Sequence, residues 1–199
     1  MTTLILASGS PRRHEILKSA GIAHEVCPVD ADESVPEGTS AERVPAILSE
    51  RKARAAVARF GAAPGERVIL ASDTVVICGE AIFGKPTDEA DAARMLRSLS
   101  GAKHTVATGV CVTDGERYET DVVCTDVYMR ELSDDEIAAY VALCRPLDKA
   151  GAYGIQEAAG AFVRRIDGDY TGVVGLPLCR TVELLAGFGV KLFDTEGAK

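Results

Sequence analysis

Leu4-Ile-Leu-Ala-Ser-Gly-Ser-Pro-Arg-Arg-His-Glu-Ile-Leu17 reads as a short buried strand, a polar turn and the start of a helix. The apolar run Leu4 to Ala7 supplies the strand, and Ser8, Gly9 and Ser10 the turn. Ser10 is placed as the N-cap, and Pro11 suits the first helical position, where its missing N–H costs nothing. Arg12 and Arg13 then fall in the first turn, where the positive end of the helix dipole disfavours each cation by about 0.3–1 kcal/mol. An anion held by backbone N–H groups, two serine hydroxyls and two guanidinium forks would offset that cost. A solvated arginine pair on an ordinary helix start is the competing account. Neither the Walker A pattern nor the dinucleotide fingerprint occurs in the chain.

Outward from this stretch, 199 residues with 47% hydrophobic content suffice for a real core. A net charge of −8 argues against nucleic-acid partners, which select basic surfaces. It also makes any cluster of basic side chains informative. No charged segment followed by a long apolar run suggests a signal peptide or a membrane span, and a cytoplasmic protein is expected. The six cysteines form no Cys-x-x-Cys pair and are expected to be reduced and mostly buried. His14, His24 and His104 are not spaced for metal binding.

No repeat or linker divides the chain, so residues 1–199 are expected to form one domain. The first helix should close near Gly21, and His24 to Val29 could form a second strand. An acidic loop, Asp30 to Gly38, contains Glu33. Thr39 with Glu42 spells a capping box for a helix reaching about Phe60, whose polar face carries Lys52. The apolar strand Val68 to Cys78 is interrupted by Ser72-Asp73-Thr74, and a carboxylate there is costly to bury unless paired or metal-bound. The other account makes Asp73 a strand-end cap. Phe83-Gly84-Lys85-Pro86 presents an ammonium before a helix capped by Thr87 and ended by Gly101. Thr105–Val112 and Tyr118–Met129 read as antiparallel strands. Ser133 and Glu136 open a further helix, Ala161–Ile166 reads as a strand, Asp167 to Asp169 as a turn, and Pro177–Leu185 as a last helix. Residues after Phe193 are expected to fray. Between them, Leu147 to Gln156 is glycine-rich and ends in an amide suited to a nucleobase edge, or is simply a turn before a strand.

Basic side chains beside carboxylates suit metal-assisted attack on a phosphate ester or anhydride, with Asp73 as metal ligand, general base or both. No Gly-x-Ser-x-Gly elbow is present.

Six segments in order, Ser8-Gly-Ser-Pro-Arg-Arg13, Ala71-Ser-Asp-Thr74, Gly84-Lys-Pro86, Thr108-Gly109, Asp148-Lys-Ala-Gly-Ala-Tyr-Gly-Ile-Gln156 and Gly175-Leu-Pro-Leu178, closely resemble the Maf family of nucleoside triphosphate pyrophosphatases. The resemblance implies a mixed α/β (α+β) fold like the inosine triphosphate pyrophosphatases. In it, a curved mixed sheet with flanking helices forms two lobes around a deep cleft, usually in a homodimer. It implies Mg²⁺- or Mn²⁺-dependent hydrolysis of a nucleoside triphosphate to monophosphate and pyrophosphate. By matching position, Ser8, Arg12 and Arg13 would grip the triphosphate, with Thr74 and Gln156 also binding substrate. Lys52 and Lys85 would support catalysis, Asp73 would be the principal carboxylate, and Glu33 would assist Asp73 with the metal. The ending at Gln156 resembles the subgroup acting on dTTP and UTP; 7-methyl-GTP hydrolysis, or nucleotide binding as a division signal, are the alternatives. Gly172 departs from the family, which often has asparagine there.

Overall fold

Strand β1 (Thr3–Leu6) lies parallel to both its neighbours, β2 (Glu25–Val26) and β3 (Arg67–Cys78). In the computed structural model, which describes residues 2–192, these three belong to a seven-stranded mixed sheet of order β2-β1-β3-β5-β6-β7. β5 (Lys103–Thr113), β6 (Tyr118–Met129) and β7 (Val163–Asp167) continue it antiparallel, and the short β4 (Ala81–Phe83) pairs with the far end of β3. Helix α1 (Pro11–Ser19) joins β1 to β2, and α2 (Val44–Phe60) leads into β3.

Both faces of the central strands are covered, so they are apolar throughout rather than alternating. Leu4, Leu6, Val68 and Leu70 pack with Leu17 of α1 and with Leu184 and Leu185 of a C-terminal helix. Ile5, Ala7, Ile69 and Ala71 lie under Ala53 and Ala56 of α2. At the other end, Val76, Val106 and Val127 meet α3 (Glu89–Leu99) and α4 (Asp134–Cys144). The short α5 (Tyr170–Val174) and then α6 (Leu178–Ala186) close the fold.

β1 covers β3 only as far as Leu70, and β4 covers it only from Val76 onward, with Phe83 opposite Val76. Ala71 to Val75 therefore pair with β5 on one edge and leave the other edge bare. A gap in the middle of a sheet edge exposes residues of both faces to one space. The site is built there.

Gly109 on β5 sits across the ladder from Asp73, and a Cβ at Gly109 would lie 2.2 Å from the Pro45 carbonyl oxygen. Glycine thus lets the first turn of α2 rest directly on the sheet. Two turns further on, this brings Lys52 over Asp73. Gly109→Ala must displace backbone and should cost about 1–3 kcal/mol, read as a lowered urea midpoint. Gly172→Ala is the control, because its new methyl would meet nothing nearer than 3.5 Å.

Several local expectations change. Thr39 donates its hydroxyl to the Pro36 carbonyl instead of capping, and a 3₁₀ turn (Ala41–Arg43) precedes α2. Pro45 favours a start at Val44, since proline fits the first helical turn. Asp88, not Thr87, caps α3 by accepting from the Asp91 N–H, while Thr87's own N–H donates to the Asp91 carboxylate. The second strand shrinks to two residues, and a 3₁₀ segment (Ala158–Phe162) occupies the start expected for β7. The Ser133–Glu136 capping box forms as read.

The cysteines are free, but Cys111 alone is buried, while Cys124 and Cys179 are exposed. His14 and His24, remote in sequence pattern, meet at 2.8 Å between Nδ1 and Nε2, with His24 Nδ1 on the Ile22 carbonyl. Among the described residues no group of three or more metal-ligating side chains converges, and no helix is long and apolar enough to cross a membrane. The fraying expected after Phe193 falls outside the described residues.

Candidate active site

A cleft of about 680 Å³ opens at the bare edge of β3, and its lining includes Ser8, Arg12, Arg13, Glu33, Lys52, Asp73, Thr74, Lys85 and Gln156. Every residue singled out from the sequence therefore reaches one space. Lys149, Asp148 and Asp30 join them. The cleft gathers five cations and four carboxylates from an acidic chain, and of the cations Arg13 and Lys85 have no ion-pair partner among the described residues, which leaves positive charge for an anion.

β3 places its side chains on alternate faces. Asp73 turns toward α2, where Lys52 Nζ lies 2.5 Å from its Oδ1 and 3.3 Å from Glu33 Oε1. Asp73 is 9% exposed, and this ammonium offsets the cost of placing a carboxylate in an apolar strand. Glu33 comes from the acidic loop, on an exposed side chain. Both carboxylates thus converge on one cation.

Ser72 and Thr74 turn to the opposite face. Ser72 Oγ donates to the Gly175 carbonyl at 3.0 Å. Thr74 Oγ1 accepts from Arg13 Nη2 at 3.2 Å and bonds Thr108 Oγ1, which donates in turn to the Gly172 carbonyl. Arg13 also donates Nε to Gly175 at 2.7 Å and Nη1 to Ser8 Oγ at 3.1 Å. Its fork is fixed entirely by neutral oxygens, with no carboxylate within ion-pair distance among the described residues. Burial pulls its pKa down to about 10, against the pull of Asp73, and Arg12 adds to the lowering. The guanidinium remains charged at neutral pH. A half-buried cation held only by neutral oxygens, with no ion-pair partner among the described residues, is the clearest sign that the cleft takes an anion.

Ser8 accepts from Arg13 and from the Ser10 N–H, which keeps its own proton available to a phosphate oxygen. Ser10 makes no side-chain capping bond, so the first-turn N–H groups of α1 are left for a ligand. Arg12 pairs with Asp148 at 3.0 Å. Lys85 is exposed and makes no ion pair with any described residue.

Sequence reasoning missed Asp148 and Lys149 because the glycines and Gln156 drew attention within the same stretch. A charged pair inside a run of small residues was the available signal. It also missed the carbonyls of Gly172 and Gly175, since no residue type announces a main-chain acceptor. Gly172 contributes through its carbonyl to Thr108 and its N–H to Asp169.

This fold and cleft define an α/β protein made to hold a small polyanion beside a lysine-paired carboxylate. The Maf-like protein family matches residues 3–188. The chain is 48% identical to the dTTP/UTP pyrophosphatase of Geobacter sulfurreducens, over 94% of this chain and 96% of that protein. It is 49% identical to that of Chromobacterium violaceum, over 96% and 97%, and 46% identical to that of Escherichia coli K12, over 94% of each. The chain belongs to the Maf family. Among solved structures, the Staphylococcus aureus Ham1 protein is similar at a TM-score of 0.41 and 16% identity, covering 67% of this chain and 73% of that one, too distant to carry an argument.

Proposed function

We propose that the protein hydrolyses dTTP and UTP to the nucleoside monophosphate and pyrophosphate. The observation that carries this is the Lys52-paired Asp73 beside the anion-less Arg13 fork in one cleft. The names of the curated relatives support the same substrates. Arg12, Arg13, Lys85 and Ser8 bind the triphosphate, and Thr74 holds the Arg13 fork in place. Asp73 orients a water and takes its proton as the water oxygen attacks the α-phosphorus. The bond to the bridging oxygen breaks, and pyrophosphate leaves with its charge met by the cationic wall. Lys52 holds Asp73 in line, and Gln156 offers its amide to the base edge.

The donor set fits a hard divalent cation, Mg²⁺ or Mn²⁺. Asp73 and Glu33 meet at one ammonium, and Mg²⁺ needs only one or two carboxylates when substrate phosphates complete its shell. When bound, such an ion supplies charge neutralisation at the phosphoryl oxygens.

The test is product analysis on a nucleotide panel that includes 7-methyl-GTP. UTP should yield UMP and pyrophosphate, with turnover abolished by EDTA and restored by Mg²⁺ or Mn²⁺. UDP and orthophosphate would place the cut elsewhere, and a preference for 7-methyl-GTP would replace the substrate assignment.

A further inference from the structure

Lys149 is the one cleft cation that the proposed chemistry leaves unused, and it is 7% exposed. Its Nζ lies 2.8 Å from Asp148 Oδ1 and 3.4 Å from Glu157 Oε2. These two carboxylates flank the loop that carries Gln156. The lysine stem runs beneath that loop, because a Cβ on Gly154 would lie 2.9 Å from Lys149 Cε and 3.1 Å from Cδ. Glycine at 154 is what lets the backbone settle on the stem. The loop is tied further by the Glu157 N–H to the Gly154 carbonyl at 3.0 Å and the Gly151 N–H to the Gly84 carbonyl at 3.0 Å.

We propose that Lys149 is a positioning residue that fixes the Gln156 loop from below and so sets which nucleobase the cleft accepts. This rests on the nucleotide reading above. Two carboxylates already flank the ammonium, which leaves it little charge for a phosphate. Burial acts to raise the Asp148 pKa, yet Lys149 and Arg12 outweigh it and hold that carboxyl below its usual range, so the anchor stays ionised at neutral pH. Loss of the ammonium frees Glu157 and with it the neighbouring Gln156. The phosphate wall around Arg13 keeps all its own contacts. Base discrimination should fall while the hydrolytic step persists.

Lys149→Met keeps a stem of similar length under Gly154 and removes the ammonium with its bonds to Asp148 and Glu157. The expected result is a KM for UTP raised about tenfold with kcat within about threefold, which is one hydrogen-bonded contact's worth of affinity. Against CTP the kinetic constants should hardly move, so the UTP-to-CTP ratio of kcat/KM collapses by a similar factor. Glu157→Gln, which leaves Lys149 its Asp148 partner, should shift the ratio in the same direction by less. An equal loss on both nucleotides would make Lys149 a phosphate or folding residue and overturn the proposal. Calorimetry with UMP and with pyrophosphate repeats the comparison without turnover: UMP should bind about tenfold more weakly to the variant, and pyrophosphate equally well. Unchanged UMP binding in both variants overturns the proposal even if hydrolysis is sound. A wild-type protein that hydrolyses no nucleotide removes the function assignment, while the binding pair still judges Lys149.

Discussion

Asp73→Asn is expected to remain folded and to turn UTP over at least about 100-fold more slowly, the scale of a lost general base. The asparagine amide matches the carboxylate in shape and still offers Lys52 an acceptor, but it takes no proton at neutral pH and is a poor ligand for a hard cation. Lys52 retains Glu33 at 3.3 Å, so the ammonium is not stranded, and the thermal midpoint should fall by only a few degrees. Pyrophosphate release measured beside thermal unfolding separates the two effects. Undiminished kcat in the folded variant would remove Asp73 from the chemistry.

Arg13→Lys should be nearly as damaging although charge is preserved. The guanidinium spans three oxygens on different segments, Ser8, Thr74 and Gly175, and a single ammonium on a different stem does not reproduce that fork. With the cation misplaced, kcat/KM for UTP should drop about 100-fold, because phosphate binding that is realised in the transition state is lost. The Gly175 carbonyl keeps Ser72 as a donor, so the cost in stability should stay near 1–2 kcal/mol. Steady-state kinetics and a urea titration together check this. Arg12→Ala should cost less, since Arg12 is already shared with Asp148 at the cleft rim. Parity between the two arginine variants would contradict the reading of Arg13 as the central grip.

The strands and helices of the chain were legible wherever hydrophobic pattern and cap agreed. The β3, β5 and β6 runs and the Ser133–Glu136 helix start are the clear cases. Local signals failed where two residues competed for one duty. Thr39 reads as a cap, yet a 3₁₀ turn and Pro45 decide where α2 begins. At α3, Thr87 and Asp88 compete for the cap, and the Asp88 carboxylate takes the Asp91 N–H. The candidate site was readable because its residues carry chemistry that their neighbours do not explain: arginines at a positive helix end, a carboxylate in an apolar strand, an ammonium before a proline. What one dimension hid was the wiring between them. Nothing in Ser72 or Thr108 foretells a carbonyl 103 or 64 positions away, and nothing in His14 foretells His24 as its partner.

Arg13 reaches across 162 positions of chain to the Gly175 carbonyl. A nascent polypeptide therefore carries its arginine pair long before it can use it. Until residue 175 has cleared the ribosome, the guanidinium lacks its third anchor, and Ser72 waits for the same oxygen. The cleft is therefore complete only once the C-terminal helices have docked, where Leu176, Leu184 and Leu185 also close over Leu4, Leu6, Val68 and Leu70 of the sheet.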